Sequence, residues 1–365
     1  MIATKRGLDA LVERVRDANA SRKPLRLRGG GTKDFYGEAP VGELLDTRVL
    51  DGPCEHEPTE LVVTAPAGMS LAALEAQLAE HGQCLAFEPP HFAPGSTVAG
   101  AVACGLSGPS RARAGSLRDH LLGVVLLSGT GELMHFGGRV IKNVAGYDVS
   151  RVVAGAMGIL GVIVEVSLKV LAKAEAETTL RFDMKPAEAL AALHAWGAEP
   201  MPLDASAWWN GNLVVRLRGS EAAVEEATRR LGGDEIASAA AGPFWQGLRD
   251  QTDPFFLAAN EATAHLDGAL WRLSLPQTAP LLALAGDELI EWHGAQRWLS
   301  TSLPPQPVRD AAAAAGGHAT LFRGRNKSAG VFAPLTPPLR LIHERLKHSF
   351  DPNGILNPGR LYPGL

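Results

Sequence analysis

Glycine and other small residues gather where a backbone could grip an anion. The first run is Arg28-Gly29-Gly30-Gly31-Thr32-Lys33-Asp34. The second begins at Pro94-Gly95-Ser96-Thr97-Val98-Ala99-Gly100, continues through Gly105-Leu106-Ser107-Gly108 and Gly115 to Asp119, and closes at Gly155 to Gly161. Glycine permits positive φ and close approach but costs backbone entropy on folding, so this density needs a local reason. A lone triplet is most often a plain loop. Two runs separated by an ordinary strand and helix read instead as backbone walls around an extended, phosphate-bearing ligand, because successive N–H groups in tight turns make anion-binding concavities. No G-x-x-x-x-G-K-[ST] string occurs, and Gly155, Gly158 and Gly161 read G-x-x-G-x-x-G. A P-loop and a nicotinamide-binding Rossmann fingerprint are therefore not supported.

The elements that must position these runs can be read from periodicity. Leu8, Leu11, Val12 and Val15 mark an amphipathic helix over 7–20. Leu25–Arg28 is a short strand feeding the triplet, and Leu61–Ala65 is a buried-type strand. Ser70 caps a helix running to Glu80 with Leu71, Leu74 and Leu78 inward. Strands follow at 122–128, 132–136 and 162–170. This alternation indicates an α+β fold with the glycine runs at strand ends. Near 173 the chain turns charged and alanine-rich, a plausible linker. Beyond it the pattern predicts a strand at 179–182, a helix at 186–196, strands at 205–209 and 213–218 and a helix at 220–231. A comparable set follows: a strand at 270–275, a helix at 278–286, a strand at 295–301, a helix at 306–315 and a strand at 318–323. The set reads as a sheet with helices on one face, made of two loosely similar halves. Pro337 to His348 is a helix opened by prolines and closed by basic residues, which suits the helix dipole.

Global properties narrow the class. The chain has 365 residues, enough for two or three domains, and a net charge of −4, which gives no footprint for nucleic acid. Three cysteines, Cys54, Cys84 and Cys104, never occur as C-x-x-C, which argues against a disulfide framework, zinc knuckle or iron–sulfur cluster in this chain. No metal site is expected. The N-terminus lacks a signal-peptide core and no apolar run is long enough to span a bilayer, so the expectation is a cytoplasmic protein whose membrane contact is at most peripheral, through a partner.

As a set, the Gly29–Thr32, Thr97–Gly100 and Gly105–Gly108 motifs with Arg118-Asp119 resemble the FAD-binding domain of the vanillyl-alcohol-oxidase superfamily. Phe87-Glu88-Pro89-Pro90, Gly108-Pro109-Ser110-Arg111, the Gly137-to-Arg151 string and Glu165–Leu171 resemble, within it, the FAD-binding E subunits of glycolate oxidases. The likeness is close over about 20–175 and returns at the C-terminus. It implies a PCMH-type FAD-binding domain of two α/β subdomains at 1–173, a ferredoxin-like-type α+β cap at 174–333, and a segment at 334–365 that returns to the flavin domain. By motif position, Gly29, Gly30, Gly31 and Thr32 would contact the diphosphate, with Gly95, Ser96, Thr97 and Gly100 on its other side. Gly105, Gly108 and Ser110 would flank the ring, and Gly158, Gly161 and Ile163 the adenosine end. Asn357 would lie near the isoalloxazine. Relatives that attach flavin covalently have a His after the glycine run; Thr32 stands there, which implies noncovalent FAD. Lys142 is a candidate positive charge for the diphosphate or the reduced flavin, with a surface ion pair as its other reading.

The resemblance further implies an FAD-dependent oxidoreductase acting on a CH–OH group, one subunit of a complex that oxidises glycolate to glyoxylate. Its partners would be a larger FAD-linked subunit holding the substrate site and an iron–sulfur subunit taking the electrons. A self-sufficient oxidoreductase and a scaffold without flavin are the alternatives. Oxidising a 2-hydroxy acid needs a base and a cation for the carboxylate. The H-x-G-D-G-N run of the catalytic siblings is absent, leaving His318 and Arg323, with Arg325 and His91, as weak candidates.

Overall fold

The computed structural model describes residues 5–138, 148–265 and 267–365. Lys142 and most of the string around it lie outside the described residues. The chain forms two compact units: Met1–Leu106, Ser116–Lys173 and Pro334–Leu365 make one, and Ser107–Gly115 with Ala174–Ala333 make the other.

In the first unit, α1 (Lys5–Ser21) buries Leu8, Leu11, Val15 and Ala18, the stripe that its periodicity marks. β1 (Leu25–Arg28) pairs in parallel with β2 (Glu43–Asp46). β3 (Glu55–Glu57) and β4 (Val62–Pro66) precede α2 (Leu71–Glu80), whose Leu71, Leu74 and Leu78 are buried. Ser70 occupies the N-cap in extended backbone but makes no side-chain cap bond. β5 (Gln83–Cys84) and α3 (Val98–Cys104) follow; α4 (Arg111–Ala114) lies in the segment that groups with the second unit. Then come α5 (Leu117–His120), β6 (Leu121–Leu127), β7 (Leu133–Gly137), α6 (Ser150–Val153), β8 (Val162–Lys169) and β9 (Leu171–Ala172). An antiparallel sheet runs β3-β4-β8-β6-β7. β6 is buried along its whole length and β8 in all but its last residue, as near-continuous Leu and Val runs require.

The second unit is built on an eight-stranded sheet. Its elements are β10 (Ala176–Asp183), α7 (Pro186–Gly197), β11 (Leu203–Trp209), β12 (Asn212–Gly219), α8 (Glu221–Leu231) and β13 (Asp234–Ile236). α9 (Ser238–Asp250), α10 (Pro254–Ala262), β14 (Ala269–Ser274), β15 (Asp287–Glu291), β16 (Gln296–Thr301), α11 (Pro305–Ala314) and β17 (His318–Gly324) complete it. The strand order is β13-β10-β12-β11-β15-β16-β14-β17, so the two halves meet where β11 pairs with β15. α7 and α8 pack on one half through Leu193, Val224 and Leu213, and α11 on the other through Val308, Trp271 and Leu321.

Two expectations need correction. Helices do not cover only one face: Leu180 packs with α7 and α8, while its neighbour Thr179 accepts a hydrogen bond from Trp245 on α9. An edge-to-face series, Phe255–Phe256–Trp298–Phe322, likewise seats α10 on the face opposite α11. The helix expected at 278–286 does not form. Pro280 opposes a helix interior, and buried Arg297 takes the carbonyls of Ala279 and Pro280 at 2.8 and 2.9 Å, oxygens that a helix would spend on its own N–H groups.

Finally α12 (Pro337–Phe350) carries the chain back into the first unit. Leu356 bridges Leu25 in parallel, Leu25 N–H reaches the Ile355 carbonyl at 2.7 Å, and Asn357 N–H reaches the Leu25 carbonyl at 2.9 Å. Lys347 on α12 is buried and donates to Asp351 (2.7 Å) and to the carbonyls of Ile159 and Leu356. Asp351 in turn accepts the N–H groups of Ile355 and Leu356. Removing one partner of a buried, hydrogen-bonded ion pair costs about 3–5 kcal/mol. Asp351→Ala is expected to lower the stability of the first unit by that amount in denaturant unfolding followed by circular dichroism. An unchanged midpoint would show that the return segment is held by apolar packing alone.

Candidate functional site

A cleft opens in the first unit between the loop after β1 and the start of α3. Leu27, Gly29–Asp34 and Thr47 form one side, Ser96, Thr97, Ala99, Gly100, Ala103 and Cys104 another, and Met157, Gly158 and Gly161–Ile163 the floor.

The two glycine runs do more than face each other. A Cβ on Gly30 would stand 1.7 Å from the Gly95 carbonyl oxygen, and one on Gly29 would stand 2.4 Å from Thr97 Oγ1. Backbone touches backbone here, so glycine is required for the runs to meet before either can line the cleft. Gly158 sits at φ +75°, and a Cβ there would lie 2.9 Å from Asn357 Nδ2. Thr97 caps α3 by accepting the Gly100 N–H at 3.2 Å.

Asn357 ties three segments together. Its Oδ1 accepts the Leu27 N–H and its Nδ2 donates to the Met157 carbonyl, both at 2.7 Å. The side chain lines the cleft, yet both ends of its amide are committed to backbone. Sequence reasoning missed two cations beside it. Lys33 is buried with Nζ 2.8 Å from Ser96 Oγ and 5.5 Å from the Phe92 ring centroid. Arg360 is buried and donates to the carbonyls of Asp34 (3.0 Å), Tyr36 and Glu38, clamping the far end of the glycine loop. Lys33 directly follows Thr32, and Arg360 lies three residues after Asn357, so adjacency to the motifs was the available signal.

Of the expected binding residues, Gly29, Gly30, Gly31, Thr32, Ser96 and Thr97 line this cleft, as do Gly100, Gly158, Gly161, Ile163 and Asn357. Gly95, Gly105, Gly108 and Ser110 do not. Ser110 is buried in the second unit, donating to Asp204 Oδ2 at 2.8 Å and accepting from Arg216 at 2.7 Å. Gly108 offers its carbonyl to Trp292 Nε1. His91 is paired with Glu75 at 3.0 Å, outside the cleft. The lining suits a flavin dinucleotide: glycine backbone and a buried ammonium for an anionic centre, apolar Leu27, Met157, Val162 and Ile163 for flat rings.

Among the weak catalytic candidates, Arg323 reaches Gln251 Oε1 at 3.3 Å, and burial lowers its pKa to about 10. Arg325 donates to the Ala264 carbonyl. His318 begins β17, exposed, with its pKa held below the ordinary imidazole value by desolvation and the Arg272 charge. The second unit also carries a polar cluster that no motif announced. Trp292 and His293 both adopt left-handed backbone, at φ +51° and +56°, a conformation that costs free energy in non-glycine residues. His293 N–H and Nδ1 both meet Ser206 Oγ, at 3.0 and 2.9 Å. Glu291 is buried, accepting from Trp298 Nε1 (2.6 Å) and Gln296 Nε2 (3.0 Å). Among the described residues no cluster of three metal-ligating side chains occurs, and no helix is long and apolar enough to cross a membrane.

Fold and cleft together define an FAD-binding oxidoreductase. A family model described as "FAD binding domain" matches residues 2–137. Glycolate oxidase subunit GlcE of Escherichia coli K12 is 43% identical over 98% of this chain and 97% of its own. The chain belongs to the family of the glycolate oxidase subunit GlcE. Glycolate oxidase subunit GlcD of Bacillus subtilis is 27% identical over 49% of this chain and 38% of its own. A solved alkyldihydroxyacetonephosphate synthase superposes with a TM-score of 0.67 at 15% identity, covering 96% of this chain and 74% of that one, a likeness of fold.

Gly30→Ala is expected to abolish flavin retention, whereas Gly197→Ala, whose Cβ would meet no atom, leaves the flavin-to-protein absorbance ratio unchanged. Equal ratios in both variants would show that the close approach of the glycine runs does not build the site. A second expectation concerns pH. Burial raises the Glu291 pKa from 4.5 to about 7 and lowers that of His293 from 6.5 to about 4. The raised carboxyl favours folding at low pH and loses that contribution as pH rises from 4.5 to about 7, roughly 3 kcal/mol in all. The depressed imidazole acts oppositely, favouring folding above 6.5 and losing this as pH falls to about 4. The two offset each other. Glu291→Gln should therefore make the second unit acid-labile below about 6.5, and His293→Asn should make it less stable as pH rises toward 7, both read by tryptophan fluorescence during thermal unfolding.

Proposed function

We propose that this chain holds FAD noncovalently in the cleft bounded by Gly29–Thr32 and Ser96–Gly100, and serves as the E-type subunit of a complex oxidising glycolate to glyoxylate. The observation that carries the reading is the backbone contact between Gly30 and Gly95, which brings two glycine loops to one cleft in a chain 43% identical throughout to GlcE. FAD supplies the two-electron acceptor for the CH–OH carbon. The chain's own residues supply its seat. The N–H groups of the glycine loop and the Lys33 ammonium would hold the diphosphate, and Arg360 keeps that loop in place. Asn357 acts as a positioning residue, joining β1 to the Met157 turn.

Noncovalent attachment is supported by the lining, which includes no histidine. Its one thiol, Cys104, is pushed up in pKa by burial and so stays protonated at neutral pH. A GlcD-type flavoprotein is the first partner and an iron–sulfur subunit the second, accepting the electrons; the complex works at the inner face of the cell membrane through these partners.

The purified chain is expected to show a flavin absorption spectrum, with FAD released into the supernatant on heat denaturation. Flavin remaining with the precipitate would replace the noncovalent reading with a covalent one. A colourless chain that cannot be reconstituted with FAD would overturn the assignment of the cleft.

A further inference from the structure

We infer that Arg272, on β14, is a carboxylate anchor for the small hydroxy acid, so that this chain itself recognises the substrate class. The inference rests on the reading that the complex acts on a 2-hydroxy acid, and adds a subsite in this chain to it.

The argument begins with what holds the guanidinium and what it leaves open. Arg272 Nε donates to Gln296 Oε1 at 2.7 Å. The Gln296 amide cannot turn away, because its Nε2 donates to Glu291 Oε2 at 3.0 Å, and that oxygen is fixed by Trp298 Nε1 at 2.6 Å. The guanidinium carbon lies 5.3 Å from the Trp292 ring centroid, and the indole is pinned by its hydrogen bond to the Gly108 carbonyl at 3.0 Å. One nitrogen is thus anchored and the plane is stacked on an aromatic face. The two terminal amino groups make no hydrogen bond or ion pair with the described residues. The fully buried arginines of the unit, unlike half-buried Arg272, are saturated: Arg216 by Asp204 at 2.7 Å, Arg297 by the Ala279 and Pro280 carbonyls.

Arg111 lies 4.7 Å from the same Trp292 ring, which helps to fix the indole that Arg272 stacks on. Glu291, the carboxyl nearest along this chain of bonds, has a pKa of about 7 and is only partly ionised at neutral pH. Arg272 therefore presents a planar two-donor fork, which matches a carboxylate bidentately. His318 is the diagonal neighbour on β17, since Arg272 faces Thr320 and Ser274 faces His318. Diagonal side chains on one sheet face stand about 7–8 Å apart, within reach of a two-carbon acid. Local desolvation and the Arg272 charge hold that exposed imidazole below its ordinary pKa, so its neutral form can accept a hydrogen bond from the hydroxyl.

The test is equilibrium dialysis of radiolabelled glycolate against the full FAD-loaded chain, with Arg272→Gln and Arg272→Lys beside the wild type and glycolamide as the uncharged competitor. Saturable wild-type binding that glycolamide does not displace, weakened at least tenfold in both variants, is the expected result. The lysine variant keeps the charge and loses the fork, so it separates bidentate recognition from simple attraction. Thermal unfolding checks that each variant folds; should the glutamine variant fail to fold, the lysine variant and the glycolamide comparison still decide. Wild-type affinity in the variants, displacement by glycolamide, or no glycolate binding by the wild-type chain would overturn the assignment. The underlying reading fails separately, through a wild-type chain without flavin or an assembled complex that does not oxidise glycolate.

Discussion

The first unit depends on one constraint, the return of the C-terminal segment to the first strand. Lys347 and Asp351 are buried together, and between them they satisfy the Leu356 carbonyl and two N–H groups of the turn after α12 and the Ile159 carbonyl from before β8. An ion pair in that position is retained against its desolvation cost because every remaining donor and acceptor has a partner. The turn then presents Leu356 and Asn357 to β1, and Asn357 spans from Leu27 to Met157. Without this return, the floor and the near wall of the cleft would have no common anchor. Residues more than three hundred positions apart thus define one binding site.

The glycine runs illustrate how a correct signal can carry an incomplete reason. Their density marks a ligand cleft, and most of the residues expected there do line it. The steric requirement at Gly29 and Gly30, however, comes from the opposing backbone and the Thr97 side chain rather than from a ligand. Close approach of the loops comes first, and the cleft is its consequence. Gly105 serves a neighbouring need: it ends α3 in left-handed backbone, and a Cβ there would meet the Gly155 backbone at 2.9 Å.

The second unit spends its buried polar groups differently. Asp204, Arg216 and Ser110 are bonded to one another, and Arg218 joins them, so that each charge has a partner. Around Trp292 two guanidinium groups approach one ring, near a carboxyl that burial keeps partly protonated. The left-handed Trp292–His293 turn is what places the indole between these arginines, and its strain is held by Ser206 and Gly108.

The sequence by itself determined the helical and strand stripes and the class of ligand, because these rest on local periodicity and on backbone freedom that only glycine provides; that Gly105 and Gly108 stand outside the cleft was decided by the fold. It could not reveal that α9 and α10 cover the second face of the large sheet, since their aromatic contacts come from strands distant in sequence. The helix expected at 278–286 was lost for the same reason: Arg297 claims its carbonyls from another strand. Ser110, expected beside the flavin ring, is bonded to Asp204 and Arg216, partners that only tertiary packing supplies. Lys33, Arg360 and Arg272 were ordinary charges on the page, and only the fold decided which were buried and which kept donors to offer. Pattern follows from neighbours along the chain, whereas burial and partnership follow from neighbours in space.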